Sequence, residues 1–177
     1  MGENYSFKDP AWVRNGEPLE WVRGGNGFGM LLLFLSSVIR RKPMRQTRGF
    51  LGALNKNVEA VERSTIQVEN CKGPMTLIVG DDDGLWPSQE YADRIAGRLK
   101  ELDWPGTVRV ECVPGAGHFV GFPYALPTLP PMRILKPASA LAFDFGGSVA
   151  ANADAARKVW RIVQEELSQW SGIVSRR

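Results

Sequence analysis

Two short apolar runs, an amphipathic stretch between them and a lone histidine beyond the second run set the organisation of this chain. Met75-Thr76-Leu77-Ile78-Val79-Gly80 is an apolar run closed by glycine, as expected of a strand buried on both faces of a parallel sheet. Asp81, Asp82 and Asp83 follow, then Gly84-Leu85-Trp86-Pro87-Ser88. A helix is expected from Ser88, which fits an N-cap, with Glu90 in the first turn. Tyr91, Ile95 and Leu99 recur at four-residue spacing, with Ala92 and Ala96 beside them. Val108, Val110 and Cys112 then alternate with Arg109 and Glu111, the pattern of a second strand. That strand runs into Pro114-Gly115-Ala116-Gly117-His118. A strand, helix, strand unit places the ends of both strands on one edge of the sheet. The order therefore predicts that Asp83 and His118 meet.

An acid after one strand and a histidine after the next is how an α/β-hydrolase supplies two members of its triad, in the chain order Ser, Asp or Glu, His. The imidazole takes a proton from the nucleophile; the carboxylate fixes its tautomer and stabilises its charged form. Several motifs extend the likeness: Lys72-Gly73-Pro74, Gly80-Asp81-Asp82-Asp83, Trp86-Pro87-Ser88, Pro114-Gly115-Ala116-Gly117-His118 and Pro123-Tyr124. Together they resemble the C-terminal domain of the acyl-CoA thioesterase and bile acid-CoA:amino acid N-acyltransferase family. Gly146-Gly147, residues 151–155 and Trp160 are similar to that family's last loop and helix. The resemblance is close over residues 66–167 and looser over 5–22. It implies the C-terminal part of an α/β-hydrolase fold, with parallel strands, flanking helices and an incomplete sheet. It also implies His118 as the triad histidine and Asp83, three residues before Trp86, as the triad acid, with Asp82 as the alternative. The implied substrate is an acyl-CoA, with no cofactor and no metal.

The same resemblance exposes a departure. The family's nucleophile sits in a Gly-x-Ser-x-Gly elbow, with Cys replacing Ser in some members. No serine of this sequence has that glycine pattern. Cys71 precedes a strand and Cys112 lies within one. The chain is thus expected to start after the elbow. Only two strands are evident, and a two-strand parallel edge does not cover its own faces and open side. Cover for residues 75–79 is expected from the two long helices or from another chain, either an upstream polypeptide or a second copy completing the sheet.

The 177 residues suit one partial domain, divided into 1–65, a post-elbow loop and helix region, 66–118, the βαβ unit, and 119–177, a proline-rich loop and C-terminal helix. With 44% hydrophobic and 23% charged residues the chain is not of a disordered type. A net charge of +3 does not argue for nucleic acid. Two cysteines and one histidine cannot build a zinc site, and a reduced cytosolic protein with two buried thiols is expected. The first 26 residues read as a loop anchored by Trp12 and Trp21, not as a signal peptide.

Residues 28–35 form the most apolar run, too short to span a bilayer, and Arg40, Arg41, Lys42, Arg45 and Arg48 follow it. Three roles fit: a core helix with a solvated basic turn, CoA phosphate binding by residues such as Arg40 and Arg41, or contact with an anionic membrane surface. Phe50, Leu51, Leu54, Val58 and Val61 give one helical stripe. After His118 a stiff, proline-rich segment holds Phe119 and Phe122, which with Trp86 are candidates for lining an acyl pocket. A helix is expected over 152–170, stopped by Gly172. The Ser175-Arg176-Arg177 end is not a Ser-Lys-Leu peroxisomal address, so cytoplasm is the expected compartment. Residues 81–84 lack the spacing of a calcium loop and residues 24–27 that of a phosphate loop. Two functional readings stand: a portion of an acyl-CoA thioester hydrolase with its nucleophile elsewhere, or a non-catalytic, partner-binding fragment.

Overall fold

The computed structural model describes residues 12–22, 27–56, 58–120, 134–138 and 141–172. A hairpin opens the described chain, β1 (Val13–Arg14) antiparallel to β2 (Glu17–Pro18). Its turn residues Asn15 and Gly16 both have positive φ, 54° and 83°. An Asn-Gly pair is suited to this primed turn, which matches the twist of the flanking strands. Trp12 beside it is 75% exposed, so it does not anchor the segment as the aromatic pattern suggested.

Helix α1 (Gly27–Arg40) follows, then α2 (Thr47–Lys56) and α3 (Val58–Ser64). The apolar stripe of residues 50–61 is therefore shared by two helices rather than carried by one. Of the three roles that fit residues 28–35 and the basic turn after them, the core helix is not the one observed. Phe28, Leu31, Leu32 and Leu35 are all exposed, while Leu33 and Phe34 are half-buried. Between α1 and α2, the buried Met44 exchanges backbone hydrogen bonds with the strand that precedes the last helix, at 2.7 Å to Ala142 and 2.9 Å from Asp144.

The centre is β3 (Met75–Gly80), paired in parallel with β4 (Val108–Val113) in the register Met75↔Val108 to Gly80↔Val113. The crossover helix α4 (Ser88–Glu101) packs its buried Ala92 and Leu99 towards one face. The other face is covered by α5 (Val149–Ser171), where Ala155 and Val159 meet Val113 and Ala116, with Ile78 and Val163 packed alongside. Charged groups on that face are cross-linked to α5. Arg109 pairs with Glu111 at 2.7 Å and Glu166 at 3.4 Å, and Thr76 donates to Glu166 at 2.9 Å. Helix α5 starts with Ser148 accepting from the Ala151 N–H and stops at Gly172 in the left-handed conformation.

Between the βαβ unit and α5 lies a hairpin that the proline-rich reading did not anticipate, β5 (Ile134–Ala138) antiparallel to β6 (Leu141–Asp144). Its register shifts between Leu135 and Ala138, the stretch that holds Pro137, which has no N–H to give a ladder. The two thiols expected to be buried are both exposed, Cys112 because it lies on the outer strand of a two-stranded sheet. The described elements are small parallel and antiparallel sheets with flanking helices, a partial α/β fold. No described helix is long and apolar enough to cross a membrane.

Candidate active site

The parallel register delivers two turns to one edge of the β3–β4 pair, and their polar groups are tied together. The Asp81 N–H donates to the Val113 carbonyl at 3.3 Å, while the Asp81 carboxylate accepts from the Gly115 N–H at 2.6 Å. The Asp82 N–H donates to the Ala116 carbonyl at 3.0 Å. A third turn, between β6 and α5, closes over both. There the Phe145 carbonyl accepts from the N–H groups of Gly84, at 3.1 Å, and His118, at 2.8 Å. One carbonyl thus fixes the acidic turn against the histidine turn. Close approach demands glycine: a Cβ at Gly117 would overlap the Gly146 carbonyl, and Gly146 itself has φ of 81°.

Asn152, fully buried in the first turn of α5, completes the clamp. Its side-chain oxygen accepts from the Gly117 N–H at 2.8 Å, and its amide donates to the Gly146 carbonyl at 3.3 Å. A buried amide with both ends bonded locks the turn before His118, since loss of either bond strands a buried polar group.

Asp83 is buried, 9% exposed, and its two oxygens are fully engaged. One accepts from the N–H groups of Leu85 at 2.8 Å and Trp86 at 3.0 Å. The other accepts from the Ser88 hydroxyl and lies 3.0 Å from His118 Nδ1. Burial pushes the Asp83 carboxyl upward, but hydrogen bonds from His118, Ser88, Trp86 and Leu85 outweigh it and hold the group below its ordinary range. An ionised carboxylate only accepts, so the matching imidazole tautomer carries its proton on Nδ1 and leaves Nε2 as a base. Asp82, the other candidate acid, points elsewhere. It accepts from Arg45 at 2.7 Å and from the Gly147 N–H at 2.8 Å, and so ties turns together.

Aromatic rings surround the imidazole. Trp86 stands edge-on at 4.8 Å, Phe119 edge-on at 5.2 Å, and Phe145 is stacked at 6.0 Å between centroids. An open trough of about 360 Å³ runs from this cluster along β3, with Tyr91 and Ile95 of α4 on its flank. Consecutive residues of β3 line it, so it follows the strand's outer edge, which pairs with no other strand among the described residues. Phe122 lies outside the described residues. Arg40 and Arg41 are exposed at the end of α1, and the cation joined to the acidic turn is Arg45 instead.

Ser88 is not the N-cap it resembles in sequence. Pro87 occupies that position, and the Ser88 hydroxyl turns to Asp83. Sequence reasoning gives Ser88 only the role of a helix cap within a family motif, and gives Asn152 and Phe145 no site role. The one available signal was an amide, Asn152, on an otherwise apolar helical face.

A buried acid joined to a histidine at the carboxyl edge of parallel strands, with an apolar trough beside it, is an arrangement able to carry out acid–base chemistry. The chain matches the family model described as BAAT / Acyl-CoA thioester hydrolase C terminal over residues 41–171, and it belongs to that family. It is similar to mouse (Mus musculus) acyl-coenzyme A thioesterase 2, mitochondrial, with 33% identity over 103 residues, 58% of this chain and 22% of that protein. It is also similar to mouse acyl-coenzyme A amino acid N-acyltransferase 1, at 31% over 113 residues, 63% of this chain and 24% of that protein. Mouse peroxisomal succinyl-coenzyme A thioesterase shows 32% identity over 102 residues, 55% of this chain and 22% of that protein. The chain thus spans under a quarter of the length of these relatives.

Proposed function

We propose that this chain supplies the acid and the histidine of a Ser-Asp-His centre that cleaves acyl-CoA thioesters, with the nucleophile coming from outside these 177 residues. The observation that carries the reading is the 3.0 Å contact between His118 Nδ1 and the buried Asp83 carboxylate. In this scheme a serine hydroxyl attacks the thioester carbonyl carbon while His118 Nε2 takes its proton. The tetrahedral adduct expels CoA as its thiolate, which receives that proton from His118. Water or an amine, deprotonated in turn by His118, then attacks the serine ester carbonyl, and the departing serine oxygen takes that proton from His118 as the acyl group leaves with the water or amine. Asp83 keeps the ring oriented and stabilises its charged form throughout. Trp86 and Phe119, placed edge-on to the ring, wall the acyl group.

Ser88 does not fill the nucleophile's place, because its hydroxyl proton is directed to Asp83 rather than to His118. The outer edge of β3, which pairs with no other strand among the described residues, is open to a further strand from an upstream polypeptide or a second copy. A strand added there would reach the trough beside His118. Names of the relatives point to mitochondria and peroxisomes, and cytoplasm remains our proposal for this chain; fractionation of cells expressing it tests that placement.

The test of the function is reconstitution. The chain is mixed with the elbow-carrying portion of a related thioesterase, and release of free CoA is followed over a panel of acyl-CoAs. Activity that needs both polypeptides and falls roughly 10²–10⁴-fold in His118→Ala supports the reading. Assembly of the two polypeptides without activity favours the partner-binding reading, for which the absent elbow is the motivating feature.

A further inference from the structure

Helix α1 turns an apolar stripe to solvent. Phe28, Leu31, Leu32, Leu35, Val38 and Ile39 recur at helical spacing and range from 44% exposed at Leu35 to 79% at Ile39. At 3.6 residues per turn these six positions fall within roughly one third of the helix circumference. The half-buried residues Leu33, Ser36 and Ser37 lie on the opposite side, and Leu33 is near Gly49 of α2. The stripe is therefore a surface feature mounted on the domain.

The chain after it is basic and held in place. Arg41 has φ of 50°, the left-handed conformation that glycine usually fills at a helix end. Its N–H donates to the Val38 carbonyl at 3.2 Å and the Lys42 N–H to the Ser37 carbonyl at 3.1 Å. The Ser37 hydroxyl adds a bond to the Lys42 carbonyl at 2.5 Å. These bonds form a Schellman turn with arginine at its strained position, so a cation stands where backbone preference alone would place glycine. Arg40, Arg41, Lys42 and Arg48 are all exposed. Residues 21–58 hold seven cations and no acid, whereas the net charge of the whole chain is only +3, so the remainder is net negative.

We propose that α1 and the turn after it form a docking surface for an anionic lipid bilayer. The helix lies in the plane of the interface with its six-residue stripe among the acyl chains, and Arg40, Arg41 and Lys42 meet lipid phosphates. Charge complementarity selects this occupant. A second copy that met this face through its own residues 21–58 would bring only like charge, while an anionic leaflet attracts each nearby cation.

Co-sedimentation of the full chain with vesicles of phosphatidylcholine, with and without 30% phosphatidylglycerol, tests it. Binding is expected to anionic vesicles only, and to weaken as salt rises. Leu31→Glu with Leu35→Glu is expected to abolish it while circular dichroism stays native, since both side chains are exposed. Replacing Arg40, Arg41 and Lys42 by alanine should lower partitioning roughly a hundredfold. Arg41→Gly is the sharpest variant: it relieves the left-handed strain, so the domain melts higher, yet vesicle binding falls roughly fivefold. Failure to bind anionic vesicles overturns the proposal. So does a dimer that the Leu31 and Leu35 substitutions dissociate, or retention of free CoA that depends on the three cations in a chain that ignores vesicles.

Discussion

The segment around His118 and the segment around α1 solve opposite problems. Near His118 polar groups are buried, and every one that matters has a partner: Asp83 accepts from four donors, and Asn152 is bonded at both ends of its amide. Around α1 the apolar groups are the ones left in water, while its basic turn carries a strained arginine. Burial without loss of hydrogen bonds gives a rigid site suited to holding a proton donor and acceptor in register. Exposure of a long apolar stripe gives little to stability and marks a surface that meets something else. The comparison separates what the chain does with itself from what it offers outward.

Core truncation should show the contrast most strongly. Leu99→Ala, at a side chain 2% exposed, is expected to cost about 2–5 kcal/mol in urea denaturation, whereas Ile39→Ala on α1 should stay within about 0.5 kcal/mol. Similar losses at both positions would erase the distinction between a packed centre and an outward-facing helix.

Next in size is Asn152→Ala, which strands the Gly117 N–H and the Gly146 carbonyl and should cost about 1–3 kcal/mol for each group left unpaired. Because that turn carries His118, the single histidine's ring resonances should also broaden or shift. An unchanged spectrum would show that the clamp is dispensable.

Acid should act through Asp83. Its carboxyl is held below its ordinary range in the folded chain, so its contribution is complete above the ordinary value that it takes when unfolded. That contribution is lost as pH falls through the lower, folded value. Asp83→Asn should therefore flatten the acid limb of stability measured against pH; an unaltered limb would mean the depression is not there.

The smallest effect concerns Ser88. Removing its hydroxyl deletes one of four donors to Asp83, and Ser88→Ala is expected to cost about 1 kcal/mol. In a reconstituted enzyme it should lower the turnover number with KM little changed, since the lost bond orients the acid and does not touch substrate.

How much was legible in the sequence follows the range of the interactions. The acid and the histidine sit at strand ends joined by one helix, so local patterning and the handedness of the crossover were enough to bring them together. Ser88 looked like a cap because its neighbours begin a helix, and only its distance to Asp83 shows otherwise. Asn152 and Phe145 reach the site from the far end of the chain, where nothing local says what they touch. The run at residues 28–35 was read towards the core because apolar composition cannot say which way a helix faces. Prolines hid the β5–β6 hairpin, since proline argues against strands unless a register irregularity accommodates it.

The most direct test of the account is release of free CoA from a panel of acyl-CoAs by the purified 177-residue chain beside its His118→Ala variant. With the acid and base present and the nucleophile outside the chain, both should give the same background rate. Activity in the chain alone that disappears in the variant would contradict this. It would mean that these residues hold a nucleophile of their own, or that His118 activates water directly.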